Sequence, residues 1–215
     1  MMLPAWLRAV LPGDTADTWE AIREVVPDAA YLAGGTAIAI HLRHRVSRDL
    51  DFFLAGLADL ASVRHELEDL GRFAVTLHSE STLNGLFNGT RIQFLSATDQ
   101  HVLEPLTLVE GIRVAGLGDL LATKLKVIGD RGELRDYYDT KVIETQAGRL
   151  AEEGLAMFVR RYRPRDPDAA VRHLLLGLGY FDDVVDDPFL PESREQILGY
   201  WRQRQPEITR SLGRS

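Results

Sequence analysis

The chain has 215 residues, 45% of them hydrophobic and 27% charged, which excludes a disordered tail, a collagen-like repeat or a coiled-coil rod. It is long enough to bury roughly 70% of the surface its unfolded form exposes, so a core can form without staples. Its formal charge is −7 and it has no cysteine: bulk positive charge for coating nucleic acid is absent, as are disulfides, thiolate zinc sites and cysteine nucleophiles.

The lack of cysteine fits a reducing cytosol. The longest stretch without Asp, Glu, Lys or Arg, residues 29–42, falls short of the ~20 apolar residues a membrane helix needs. Residues 1–14 hold one arginine, two prolines and no apolar run, so no signal peptide is expected there. The expectation is a soluble cytoplasmic protein with no membrane partner.

Residues 18–26 carry a helical pattern on Trp19, Ile22, Val25 and Val26, with Asp14, Thr15 and Asp17 as candidate caps and Pro27 as a stop. A short buried strand over 30–33 runs into Gly34 and Gly35, and residues 36–42 suit a short helix. A strand follows over 50–54, then an amphipathic helix over 59–70 built on Leu60, Val63, Leu67 and Leu70. Residues 72–78 and 90–95 alternate as strands do, with Asn88-Gly89 as a turn signal between them. Two further short strands are expected around Glu110-Gly111.

Beyond Gly116 the pattern is helical: 117–128, 134–145, 149–162, 169–178 and a last segment over 194–203. The expected class is α+β, a mixed sheet with flanking helices over residues 1–115 followed by a helical region over 116–215.

The strongest local signal is Gly34-Gly35-Thr36 followed by Asp49-Leu50-Asp51. A glycine pair between a strand and a helix lets backbone N–H groups approach a phosphate, and the helix N-terminus adds positive potential. Thr36 is a candidate both to cap that helix and to bond a phosphate oxygen. In the returning strand Asp49 and Asp51 share a face, while Leu50 and Phe52 point to a core. Two carboxylates so close repel unless a cation lies between them, and oxygen ligands of this kind suit Mg²⁺ carrying a triphosphate. The interval from Gly35 to Asp49 holds one helix and a return strand.

Between the two motifs lie His41, Arg43, His44, Arg45, Ser47 and Arg48. They either hold phosphates or RNA backbone, or pair with Asp49 and Asp51. Further on, Leu117, Leu120, Leu121, Leu125 and Ile128 form one apolar stripe, with Lys124 inside it and Lys126 opposite. A lysine on the buried side needs an anion, either a nucleotide phosphate or a structural aspartate. Arg135 and Asp139 have the spacing of a surface helical pair. Asp136 shares a face of mixed polarity with Thr140 and Ile143, and Tyr137 and Tyr138 suit packing against Leu134 and Val142. The arginines over 160–165 suit a nucleic-acid contact or a solvated helix end. Tyr180, Phe181 and Asp182, Asp183, Asp186 and Asp187 suit a basic partner or an acidic loop over core aromatics.

Residues 31–53 (YLAGGTAIAIHLRHRVSRDLDFF) resemble the opening motif of the AbiEii/AbiGii-type nucleotidyltransferase toxins, within the polymerase-β-like nucleotidyltransferase superfamily. The resemblance continues through 82–94, 120–139 and 178–188. It implies a metal-dependent transfer of a nucleotidyl group from an NTP. Gly34, Gly35 and Thr36, with Arg45 and Ser47, would bind the nucleotide, and Asp49 and Asp51 would hold Mg²⁺ or Mn²⁺. Lys124 would neutralise phosphate charge, Asp136 would be a further essential acid, and the helical region would complete the active site. Relatives among the MenT toxins add nucleotides, mainly pyrimidine, to the 3′ end of tRNA, so the implied partners are the tRNA acceptor end and a cognate antitoxin. The wider superfamily has a third carboxylate on a later strand; the matching strand here reads Arg91-Ile92-Gln93-Phe94-Leu95, with no acid. Transfer to a protein or small-molecule hydroxyl, and NTP sensing without turnover, are the alternative readings.

Overall fold

Seven strands make one mixed sheet in the order β3-β4-β5-β2-β1-β7-β6. The computed structural model describes residues 2–56, 59–71 and 73–213, and the chain divides into two units, Met1–Gly116 and Leu117–Ser215. The sheet lies wholly in the first unit; the second is helical.

In the first unit, helices α1 (Ala5–Arg8) and α2 (Gly13–Ile22) precede β1 (Ala30–Leu32). Helix α2 starts earlier than the apolar pattern predicts: Pro12 occupies the N-cap, so Asp14 to Asp17 lie inside the helix and none of them caps it. The reason is burial, because Thr15, Ala16, Thr18 and Trp19 all face the core. The first helix, α1, is short and is anchored by the fully buried Leu7.

Strand β1 is buried throughout and pairs antiparallel with β2 (Leu50–Leu54) and parallel with β7 (Ile112–Val114). Strand β2 alternates, with Leu50, Phe52 and Leu54 buried and Asp51 and Phe53 half-buried. It runs parallel to β5 (Thr90–Ser96), with Phe52 opposite Phe94 and Asp51 opposite Gln93. The Phe52 and Phe94 rings stack at 4.8 Å on the core face, in the offset range aromatic pairs favour.

Strands β3 (Phe73–His78), β4 (Thr82–Phe87) and β5 form an antiparallel meander. The Asn88-Gly89 turn joins β4 to β5, with positive φ at both residues as a tight hairpin turn requires. The strand β4 itself is not expected from the sequence, since Asn84 and Gly85 are poor strand formers. Arg72, placed by its pattern at the start of β3, lies outside the described residues. Strands β6 (Thr107–Val109) and β7 form a second hairpin through Glu110 and Gly111, again with positive φ at both. Two helices complete this unit: α3 (Gly34–Leu42) after β1, and α4 (Leu60–Asp69), capped by Asp59 accepting from Ala61 N–H at 2.9 Å.

The second unit holds α5 (Leu117–Arg131), α6 (Leu134–Ala147), α7 (Ala151–Tyr162), α8 (Pro167–Leu178) and α9 (Arg194–Leu212). Helix α5 packs against α6, α7 and α8. Its crossing with α8 is close enough that a Cβ on Gly177 would lie 2.8 Å from the Gly129 Cα. Trp201 of α9 is fully buried and donates its indole N–H to the Tyr137 carbonyl at 3.0 Å. Helix α9 continues past residue 203 and through Pro206, held beyond the proline by the fully buried Ile208. No described helix is long and apolar enough to cross a membrane.

Candidate active site

The first turn of α3 is built directly onto the carboxylate strand. Ala33, between β1 and α3, donates its N–H to the Asp51 carbonyl at 2.8 Å. Gly34 follows with φ +65°, and a Cβ there would lie 2.4 Å from Asp51 Oδ2. Only glycine permits both this backbone conformation and this approach. Ala33 gives α3 no side-chain cap, so the first N–H groups of the helix, at Gly34, Gly35 and Thr36, have no acceptor within it. That end of α3 is an electropositive surface beside Asp51.

Thr36 is not the cap that the sequence suggests. It sits inside the first turn, 1% exposed, with its hydroxyl 2.7 Å from Ser47 Oγ and bonded to the Asp49 carbonyl. Both side chains therefore serve the loop leading to Asp49. Ser47 also donates its N–H to the Val10 carbonyl at 3.0 Å, and Thr15 donates to the Arg48 carbonyl at 3.3 Å. These anchors fix the segment 47–49 immediately before Asp49, Leu50 and Asp51.

Asp49 and Asp51 are both half-buried, flanking the fully buried Leu50. Arg45 is half-buried, with Nη1 donating to the Val46 carbonyl at 3.1 Å. Arg43 is exposed and lies over the Trp6 ring, 5.3 Å from its centroid. His41 Nε2 lies 2.8 Å from the Ala115 carbonyl. No group of three or more His, Cys, Asp or Glu able to hold a metal ion occurs among the described residues. Two carboxylates are nevertheless enough for Mg²⁺ that also takes substrate phosphate oxygens, so the donor set fits.

In the helical unit, Lys124 is buried as its place in the apolar stripe predicts, and its anions are aspartates. Its Nζ lies 2.6 Å from Asp136 Oδ1 and 2.8 Å from Asp139 Oδ2. Asp139 is fully buried and so is no surface residue, and Arg135 pairs with Glu133 at 2.5 Å. Asp136 Oδ2 also accepts the Glu133 N–H at 3.1 Å, completing a capping box for α6. The Tyr137 hydroxyl lies 2.8 Å from the carbonyls of Gly177 and Tyr180, and burial pushes this phenol well above its ordinary range.

Two weaker motifs are each only partly solvated. In the arginine run, Arg161 is 1% exposed and pairs with the equally buried Asp119 at 2.8 Å, while Arg160, Arg163 and Arg165 are exposed. The acidic segment leaves Tyr180 exposed, while Phe181 packs edge-on to Tyr137 at 5.6 Å. Arg194 pins that segment through the carbonyls of Phe181 and Val184.

Asn84 has no part in the sequence expectations, and Asp139 enters them only as a surface partner of Arg135. The alternation of Leu83, Gly85 and Phe87, all buried, is the signal that would have put Asn84 on the Asp51 face. For Asp139 it is the i, i+3 spacing from Asp136.

Four similarities accompany this geometry. Residues 20–94 match the family model described as nucleotidyl transferase AbiEii toxin, type IV toxin–antitoxin system. The chain is 30% identical over 176 residues to the uncharacterized protein aq_aa25 of Aquifex aeolicus, spanning 80% of this chain and 81% of the relative. In three dimensions it resembles JHP933 from Helicobacter pylori, with a TM-score of 0.56 at 17% identity over 99% of this chain and 95% of that one. A second H. pylori crystal structure, provisionally named a nucleotidyltransferase, gives 0.57 at 16% identity over 94% and 97%.

Proposed function

Because the chain belongs to the AbiEii nucleotidyl transferase toxin family, we propose that it transfers a nucleoside monophosphate from an NTP to the 3′ end of tRNA and so blocks translation. Pyrimidine NTPs are the expected donors. The observation that carries this reading is the seating of Gly34 against the Asp51 carboxylate, which brings an uncapped helix N-terminus and an Asp-x-Asp pair together within the matched segment. A type IV toxin has a cognate antitoxin, and that is the expected protein partner.

The N–H groups of the first turn, at Gly34, Gly35 and Thr36, would bind the triphosphate, an anion suited to a helix N-terminus. Arg45 would add positive charge beside it, and Ser47 would act through Thr36 by holding the loop before Asp49. Asp49 and Asp51 would hold Mg²⁺ or Mn²⁺. When bound, the ion offsets the negative charge of the transferring phosphoryl group. The acceptor 3′-oxygen bonds to the α-phosphorus as the bond to the bridging oxygen of pyrophosphate breaks; pyrophosphate leaves with the electron pair and the hydroxyl proton passes to solvent. Most of the acceleration in such a reaction comes from positioning and charge stabilisation. Asp136 would act as a further acid and Lys124 as a phosphate-neutralising cation. For that, a phosphate must displace one of the carboxylates now held by Lys124.

The test is incubation of purified protein with total tRNA, Mg²⁺ and each α-labelled NTP in turn, resolved on a denaturing gel. Label on tRNA from one or two NTPs, lost in Asp51→Ala, is the expected result. Label on protein redirects the acceptor to a protein hydroxyl. NTP binding without transfer to any acceptor contradicts the enzymatic reading.

A further inference from the structure

Strand register lines up three polar side chains across the sheet beside the first turn of α3. Asp51 of β2 is opposite Gln93 of β5, and Gln93 is opposite Asn84 of β4. Residues in register on neighbouring strands share a face. The adjacent row, Phe52, Phe94 and Leu83, is fully buried on the other face. Starting from the phosphate-binding end, the face therefore runs Gly34, carboxylate, carboxamide, carboxamide, with strands about 4.8 Å apart.

The Asn84 carboxamide is not satisfied within this row. Its Oδ1 is buried and has no hydrogen-bond partner among the described residues. Native structures rarely leave such an acceptor unmet without a ligand or water to fill it. Gln93 is half-buried, on the strand where the superfamily resemblance leads one to expect a third acid.

We propose that Gln93 and Asn84 form the subsite for the acceptor ribose, and that they engage the 2′-hydroxyl beside the attacking 3′-hydroxyl. The inference rests on the nucleotidyl-transfer reading above. In an in-line displacement the attacking oxygen arrives opposite the leaving pyrophosphate. With the triphosphate at α3, the acceptor comes in over β5 and β4. A hydroxyl both donates and accepts, and a carboxamide offers the complementary pair of groups without charge. The Asn84 Oδ1 accepts from the 2′-hydroxyl, and the Gln93 amide donates to the same oxygen. The 2′-hydroxyl is also what separates an RNA end from a DNA end, so this row selects RNA acceptors.

The experiment compares two tRNA transcripts, one ending in adenosine and one in 2′-deoxyadenosine, with wild-type protein, Asn84→Ala, Gln93→Ala and the near-isosteric Gln93→Met. Equilibrium dialysis with Mn²⁺ and labelled NTP is run in parallel. Wild-type protein is expected to prefer the ribose-ended RNA by about tenfold in kcat/KM, the scale of one net hydrogen bond. Each variant loses about that factor on the ribose-ended RNA, no longer discriminates, and binds Mn²⁺·NTP as wild type does. Undiminished discrimination in the variants, or weakened NTP binding, overturns the subsite while leaving transfer itself established. Wild-type protein that labels neither RNA overturns the functional reading, and this subsite with it.

Discussion

The aspartates singled out in the two units differ in how deeply they are buried. In the helical unit, Asp119, Asp136 and Asp139 are all buried, and each meets a basic side chain within 2.8 Å. In the sheet unit, Asp49 and Asp51 are half-buried beside an uncapped helix end. Buried acids matched by bases are committed to the fold, and breaking one such pair leaves an uncompensated charge in the interior. Half-buried acids at the end of a strand cost the fold little and stay reachable for a cation and its phosphates. Function is therefore expected to be most sensitive in the sheet unit, and stability in the helical one.

The largest effect expected is on activity. Asp49→Asn and Asp51→Asn should each cut tRNA labelling by roughly 10³-fold, the scale lost when a main electrostatic stabiliser of a transition state is removed. Stability should change by no more than about 0.5 kcal/mol in denaturant melts. A large loss of stability would erase the contrast between the units.

Lys124→Ala should destabilise by about 3–5 kcal/mol in the same melts, because two buried aspartates lose their cation. Loss of activity in that variant alone is therefore no measure of phosphate neutralisation. Combining Lys124→Met with Asp136→Asn and Asp139→Asn should restore much of the stability, since it removes the charges together.

Gly34→Ala tests the junction of α3 and β2. The positive φ should cost about 1–2 kcal/mol, and the added methyl must push aside the Asp51 carboxylate. Activity should fall further than that loss of stability explains, measured as kcat/KM at a temperature where the variant is folded.

The smallest effect concerns pH. Burial pushes the Glu152 carboxyl up, but the hydrogen bond and charge of Arg204 outweigh it and hold the group below its ordinary value. A carboxylate depressed in the folded state adds stability above its unfolded pKa and loses it as pH falls through the folded one. The melting temperature of wild-type protein should thus fall more steeply below about pH 4.5 than that of Glu152→Gln, followed by calorimetry across that range.

What could be read in the sequence was local. Strand β2 falls where its alternation puts it, and Gly34, Gly35, Thr36, Asp49 and Asp51 are recognisable because their spacing encloses one helix and a return strand. The burial of Lys124 follows from its place in an apolar stripe. What could not be read depends on contacts distant in the chain. The caps proposed for α2 lie inside it because the core claims Thr15, Thr18 and Trp19. Thr36 turns toward Ser47 and Asp49 because the loop between α3 and β2 folds back on it. Strand β4 carries Asn84 and Gly85 against its own propensity because two neighbouring strands pair with it. Asp139 is buried against Lys124 because α6 packs that side against α5.

On the function proposed above, metal and nucleotide bind at the Asp49 and Asp51 face of the sheet unit. The most direct measurement is titration of Mn²⁺ by water-proton relaxation, with and without a non-hydrolysable NTP analogue, on wild-type protein and Asp51→Asn. Tight Mn²⁺ binding to wild type only when the analogue is present, abolished in Asp51→Asn, is the result this account predicts. Equal Mn²⁺ and analogue binding by the two proteins would contradict it.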